Sequence, residues 1–410
     1  MAHAVFLNRV TDAPPTSSEV RLGQGAFLTL RLVDLLAPDH AAVEPDVFHY
    51  QWVATERYCR ELAHEGTEAA HLNGIVSAAG EAYRTRDVRV VIPALFAFVY
   101  HLENTLSLEE ALDVLETIHQ VGGQRLAAKD AITAQLRLGL VYRNLAAFDE
   151  SDAAYAAAEE LATRAGDMHS VLLSRIGRAF GLKQRGNIPE SERALIAILA
   201  DARAAGDDDA EARSEHALGT VLDQRGQPHE SAPHLWRAYE LYPDEQARVR
   251  ALGDLGTVLL RIGDGESAER ALRAVVERSK QVDVLLNAQV ELMHACSYRR
   301  DRVSFERWRA ECVARLDQMT PSITADFYLK AGVGCARFGN FRKARQLMDE
   351  GVAVAGASRI HEFEFRIERI RAGLGDCEEV AREGLQAAAE PVLQTEALKE
   401  VSASLALLGA

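Results

Sequence analysis

His229 and His234 bracket the run Glu230-Ser231-Ala232-Pro233 and at first sight offer a metal site. Two imidazoles that share a metal from one helix must lie on one face, three or four residues apart. Here they are five apart with Pro233 between them, so the run reads as a turn entering a helix. His216 stands alone on a helical stretch, where an imidazole meets a ligand or simply faces water. Cys59, Cys296, Cys312, Cys335 and Cys377 are scattered without a Cys-x-x-Cys pair, which fits reduced thiols in a cytoplasm. No phosphate-binding Gly-x-x-x-x-Gly-Lys-Ser/Thr run and no Gly-x-Ser-x-Gly elbow occurs, and Gly23-Gln24-Gly25 lacks the third glycine of a dinucleotide loop. The expectation is a chain with no catalytic residue, no metal and no cofactor: not an enzyme.

One pattern remains. Arg143, Arg185, Arg225, Arg261, Arg299-Arg300 and Arg337 recur near the ends of successive helical stretches. Cations there complement the helix dipole, which accounts for them without any ligand. The functional alternative is a groove lined by Arg143, Asn144, Lys183, Gln184, His216, Asp223, Gln224 and Arg261. Its amides would hydrogen-bond a peptide backbone, and its bases would attract acidic side chains or a free carboxylate.

A feature that recurs needs a scaffold that recurs. Glu-Ser appears at Glu150-Ser151, Glu190-Ser191, Glu230-Ser231 and Glu266-Ser267-Ala268. Ser151, Ser191 and Ser231 are 40 residues apart, Ala268 follows after 37, and Ala344 after a further 76, or two units of 38. Each unit reads as two helices and a turn. Leu138-Gly139-x-x-Tyr142 precedes Phe148, Ser151, Tyr155 and Ala158; Leu218-Gly219-x-x-Leu222 precedes Gly226, Ser231, Leu235 and Ala238. Leu255-Gly256-x-x-Leu259 and Gly332-x-x-Cys335 open further copies, which places Cys335 at a packing position. A small residue on the first helix facing a small residue on the second lets two backbones approach. Gly186, Gly226, Gly263 and Gly339 suit left-handed caps at the turns.

These residues resemble the tetratricopeptide repeat. The period and the run Ala158 to Asp167 look like the longer variety found in kinesin light chain and in bacterial regulators. The likeness is clearest over 126–283 and 325–356 and weaker over 284–318 and 358–390. Every copy lacks the family's Trp. The resemblance implies an all-α fold, a right-handed α-solenoid of about eight antiparallel helix hairpins with a C-terminal capping helix and a ligand-binding concave face. Chaperone-binding members hold a peptide carboxylate with Lys and Asn at fixed first-helix positions. Those positions are Leu136 and Leu140 here, and Gly253 and Thr257 in another copy, so that clamp is not implied.

Four segments follow: a poorly defined stretch over 1–42, divergent hairpins over 43–125, the repeat array over 126–390, and a capping helix over 391–410 that would seal the last repeat. With 61 acids against 46 bases, the net charge of -15 repels phosphate backbones, so nucleic acid is not an expected partner. The apolar run Val90 to Tyr100 falls short of the roughly 20 residues that cross a bilayer, and Ala4 to Leu7 is too short for a signal-peptide core. A cytoplasmic, non-enzymatic scaffold for a protein or peptide ligand is expected; the alternative is a peptide-sensing regulator that changes shape on binding.

Overall fold

The computed structural model describes residues 2–9, 14, 17–37, 45–358, 360–382 and 395–407. After a short 3-10 turn, Ala4–Leu7, come α1 (Ser18–Asp34), α2 (Pro45–Glu61), α3 (Thr67–Thr85), α4 (Ile92–Asn104), α5 (Leu108–Gly122), α6 (Ala128–Asn144), α7 (Phe148–Ala165) and α8 (Met168–Gln184). Then follow α9 (Ile188–Ala205), α10 (Asp208–Gln224), α11 (Pro228–Leu241), α12 (Glu245–Ile262), α13 (Gly265–Arg278), α14 (Val282–Tyr298) and α15 (Arg302–Val313). The chain continues as α16 (Pro321–Arg337), α17 (Phe341–Ala357), α18 (His361–Ala372), α19 (Leu374–Arg382) and α20 (Glu396–Leu407). Among the described residues there is no strand, and no helix is long and apolar enough to cross a membrane. The chain forms two compact units, 1–194 and 195–410, whose division falls within α9.

Local chemistry marks where each helix begins and each hairpin turns. Asp167, Asp207 and Asp244 cap first helices, each carboxylate accepting from the backbone N–H three residues on. Asp264, Asp301 and Asn340 do the same for second helices. Such a cap stabilises a helix by about 1 kcal/mol. At the turns Leu106, Ala146, Gly186, Gly226, Gly263, Arg300 and Gly339 all have φ between 59° and 94°. They follow one another at 40, 40, 40, 37, 37 and 39 residues, so the repeat register extends back to the α4–α5 hairpin. Only four of the seven are glycines, which is why the sequence displays a shorter array.

Within a hairpin, the residue marked by sequence as small has a second duty. Ser151, Ser191 and Ser231 are buried, and each hydroxyl donates to a carbonyl twelve residues earlier: Gly139 at 2.8 Å, Ala179 at 2.8 Å and Gly219 at 2.7 Å. The glycine in turn makes room for a large side chain sixteen residues on. A Cβ built on Gly139, Gly219, Gly256 or Gly332 would fall within 3.0 Å of Tyr155, Leu235, Leu272 or Met348. The weak repeat over α14–α15 breaks this code for a visible reason. Phe305, fully buried, stands where the other repeats carry Ser or Ala, and the space it needs comes from Gly334 on α16, whose Cβ would lie 2.2 Å from the ring.

In unit 1, the segment that sequence leaves poorly defined is packed where it is described. Helix α1 buries Leu22, Ala26, Leu30, Leu32 and Val33 in one core with α3 to α5. His3, 4% exposed, lies 2.5 Å from Asp113 on α5 and 3.1 Å from Asp34 at the end of α1. Burial alone would push that imidazole down, but bonds and attraction to Asp113 and Asp34 outweigh it and raise its pKa to about 9.

In unit 2, the closing helix α20 departs from expectation. Leu398, Val401 and Leu405 enter a core with Ala232, Leu235, Ala271 and Val275, which puts α20 against α11 and α13, whereas sequence has it sealing the last repeat. Apolar spacing says which face of a helix is buried and nothing about which surface receives it. The expected start at Pro391 lies outside the described residues.

Candidate peptide-binding face

The eight candidate groove residues divide four and four between the units. In unit 1, Arg143 and Lys183 both flank the ring of Phe180, at 5.0 and 5.6 Å from its centroid, while Asn144 and Gln184 are exposed beside them. Phe180 escaped sequence reading because an aromatic on a helix reads as core. Arg185 of the recurrent bases bonds Asp149 at 3.0 Å and Asp152 at 3.1 Å. The same unit holds an open cleft of about 480 Å³ lined by Val5, Arg9, Glu19, Leu106, Glu110 and Leu145. Its one guanidinium, Arg9, is already paired with Glu68 and Glu110.

In unit 2, the candidates bond across the repeat boundary. Arg261 on α12 donates to Asp223 on α10 at 2.7 Å. His216 on α10 is held at both ring nitrogens, 2.8 Å from Asp254 of α12 and 3.1 Å from the Tyr242 hydroxyl. Gln224 and Arg225 are exposed at the end of α10. The pattern continues through Lys330, which the sequence did not single out, and through three of the recurrent arginines. Lys330 on α16 donates to Glu291 on α14 at 2.5 Å and also to Asp326. Arg337 donates to the Ser297 hydroxyl at 2.7 Å and lies 3.6 Å over the Tyr298 ring. Arg299 pairs with Glu269, and Arg300 reaches the Arg337 carbonyl.

These ties join residues 38, 38, 39 and 40 positions apart, one repeat each. A side chain and its equivalent neighbour on the next first helix stand side by side, and the four ties fall two between α10 and α12 and two between α14 and α16. Weighed as dipole partners or as ligand contacts, Arg261, Arg299, Arg300 and Arg337 prove to be inter-repeat ties as well. The signal was available in sequence as complementary charge one period apart.

Burial tunes the far end of this row. Lys330, Glu291 and Asp326 are each less than 10% exposed. Burial penalises the Lys330 ammonium, but Glu291 and Asp326 hold its pKa above the ordinary value. His294, one turn from Glu291, is pushed well below the usual range by burial first, and then by Lys330, Arg337 and Arg366. It is a neutral imidazole edge-on to Tyr298, with a buried Nδ1 that finds no hydrogen-bond partner among the described residues. Of the sequence's other candidates, His234 bonds Glu215 at 2.5 Å, and burial raises the Cys335 thiol.

Comparison with solved structures places this architecture. The Rap conjugation gene regulator of plasmid pLS20, solved with the Phr* peptide, is similar over 89% of this chain and 99% of its own, with a TM-score of 0.54 and 10% identity. The fold is of the tetratricopeptide-repeat type. Two other tetratricopeptide-type structures show likenesses as well. The apo quorum sensor NprR of B. thuringiensis has 12% identity and a TM-score of 0.47, covering 85% of this chain and 97% of its own. A kinesin light chain repeat protein of Podosopora anserina has 16% identity and a TM-score of 0.39, covering 46% and 96%. No protein-family model and no curated protein matches the sequence. In tetratricopeptide terms, the tied residues of unit 2 lie on first helices, and Gly253 and Thr257 lie among them on α12.

Proposed function

We propose that this chain binds a peptide segment of a partner protein along the first-helix face of its tetratricopeptide-type repeats, and performs no chemistry on it. The observation that carries this reading is the ladder of polar pairs in unit 2. His216–Asp254 and Asp223–Arg261 tie α10 to α12, Glu291–Lys330 and Ser297–Arg337 tie α14 to α16, and each holds a donor and an acceptor in fixed geometry across one repeat. Pre-ordered polar groups bind an extended peptide without a further ordering cost. Gly253, between them on α12, has room for a Cβ, which would meet Val275 Cγ2 at an ordinary contact distance of 3.9 Å. The peptide bound by the pLS20 regulator, whose fold this chain shares, supports the same reading.

The test is selection of displayed 12-residue peptides against the full chain, followed by fluorescence anisotropy with Gly253→Arg and Thr257→Arg. Both substitutions add bulk to α12 at residues that make none of the four ties. We expect at least tenfold weaker binding with unchanged melting. Equal affinity for wild type and both variants would remove the face from consideration.

A second reading, the shape-changing regulator, is favoured by the exposure of one partner in each of the two α10–α12 ties. Arg261 is 50% exposed and Asp254 52%. Exposed pairs contribute only about 0–1 kcal/mol each, so a ligand can exchange partners with them at little cost and reset the spacing between repeats. Small-angle scattering of the chain with a selected peptide decides it: a radius of gyration unchanged at saturation leaves the rigid scaffold.

A further inference from the structure

Helix α20 is twelve residues long, at or below the length that stays helical alone in water, so it is helical here because it is docked. Its apolar residues Leu398, Val401 and Leu405 follow one face, and all three are buried, while Glu396, Ala397, Lys399, Glu400, Ala403, Ala406 and Leu407 are exposed. The receiving surface is built from α11 and α13, the second helices of two successive hairpins, and contributes Ala232, Leu235, Ala271 and Val275 to the shared core. One polar contact fixes the register: the Ser402 hydroxyl donates to Asp264 Oδ2 at 2.8 Å. Asp264 Oδ1 meanwhile accepts from Ser267 N and caps α13. The receptor side is therefore preformed, since both helices and the cap belong to the repeats whether or not α20 is present.

We propose that the α11–α13 face is a docking surface for an amphipathic helix, separate from the first-helix face, and that residues 396–407 are its displaceable resident. The partner it fits carries apolar residues at i, i+3 and i+7 and a hydroxyl at i+4, the last facing Asp264. Three apolar side chains and one hydrogen bond make a contact small enough to exchange. A helix from a partner with the same pattern competes with α20 for one site.

The experiment uses the full chain and, as probe, a fluorescein-labelled peptide of residues 395–408 that keeps Ser402 and carries a photo-crosslinking residue at the half-buried position 404. Full-length Leu398→Asp/Val401→Asp/Leu405→Asp frees the face while leaving it intact; full-length Val401→Asp is the milder variant if the triple change impairs folding. We expect the probe to bind the released variant at least thirtyfold more tightly than wild type, with crosslinks confined to residues 228–278. A probe carrying the same three aspartates should not bind. No binding to a variant that retains wild-type melting, equal binding to both chains, or crosslinks elsewhere would each overturn the proposal.

Discussion

Arg261 donates to Asp223 across one repeat, at 2.7 Å, so two residues that sequence offers as ligand contacts are first of all each other's partners. Because Arg261 is 50% exposed, the pair contributes little to stability. Arg261→Ala and Asp223→Ala should each cost less than about 1 kcal/mol, and a double-mutant cycle should give a coupling of about 0.5 kcal/mol that fades in high salt. A coupling of several kcal/mol would mean the tie is a structural keystone and not an exchangeable contact.

The buried triad at the other end of the row should behave differently. Lys330→Met leaves Glu291 and Asp326 facing one another with no counter-charge, in a place where all three are nearly enclosed. Removing one partner of a buried pair costs roughly 3–5 kcal/mol, so urea unfolding of unit 2 should shift far more for Lys330→Met than for Arg261→Ala.

Within a hairpin, two substitutions separate hydrogen bonding from close packing. Ser231→Ala loses the buried bond to the Gly219 carbonyl and should cost about 1 kcal/mol; Ala268 shows that alanine fits the equivalent place. Gly219→Ala puts a methyl 2.8 Å from Leu235 and 3.3 Å from the Ser231 carbonyl and should cost about 1–3 kcal/mol. Denaturant midpoints of the two variants give the order directly.

At the turns, the sign of a glycine swap depends on the starting residue. Gly226, at φ 78°, should lose about 1 kcal/mol or more on change to Ala, because a Cβ in that region clashes with the backbone. Ala146, at φ 60°, already carries that cost, and Ala146→Gly should recover about 0.5 kcal/mol after the extra freedom of the unfolded chain is set against it. Thermal melts in opposite directions would establish the point.

Buried His3 and half-buried His294 predict opposite pH responses. His3 has a folded pKa of about 9 against 6.5 unfolded, so its stabilisation is complete below pH 6.5 and disappears as pH rises through 9. His294 is held below 6.5, so it contributes no penalty above that value and a growing one as pH falls and the unfolded chain takes up the proton. Melting of His3→Gln should therefore approach wild type at pH 10, and His294→Gln should lose less stability than wild type between pH 7 and 5.

Some of this was readable from residue order alone. The Glu-Ser markers and the Leu-Gly-x-x-Tyr runs disclose the hairpins of 126–283, because there the small residue and the large residue it admits keep their type and three of the four turns keep their glycine. Where one role passes to another residue, the text goes quiet while the structure stays regular. Leu106, Ala146 and Arg300 take the turn glycine's place, and Phe305 takes the serine's with Gly334 yielding the space.

Periodicity is a property of neighbours along the chain, so composition and spacing were enough to determine paired helices, their buried faces and their recurrence. Pairing between repeats is a property of neighbours in space. That Arg261 meets Asp223, that Lys330 is enclosed by Glu291 and Asp326, and that α20 rests on α11 and α13 depend on which surfaces stacking brings together. An amphipathic helix announces that one side must be covered, and only the tertiary structure decides by what.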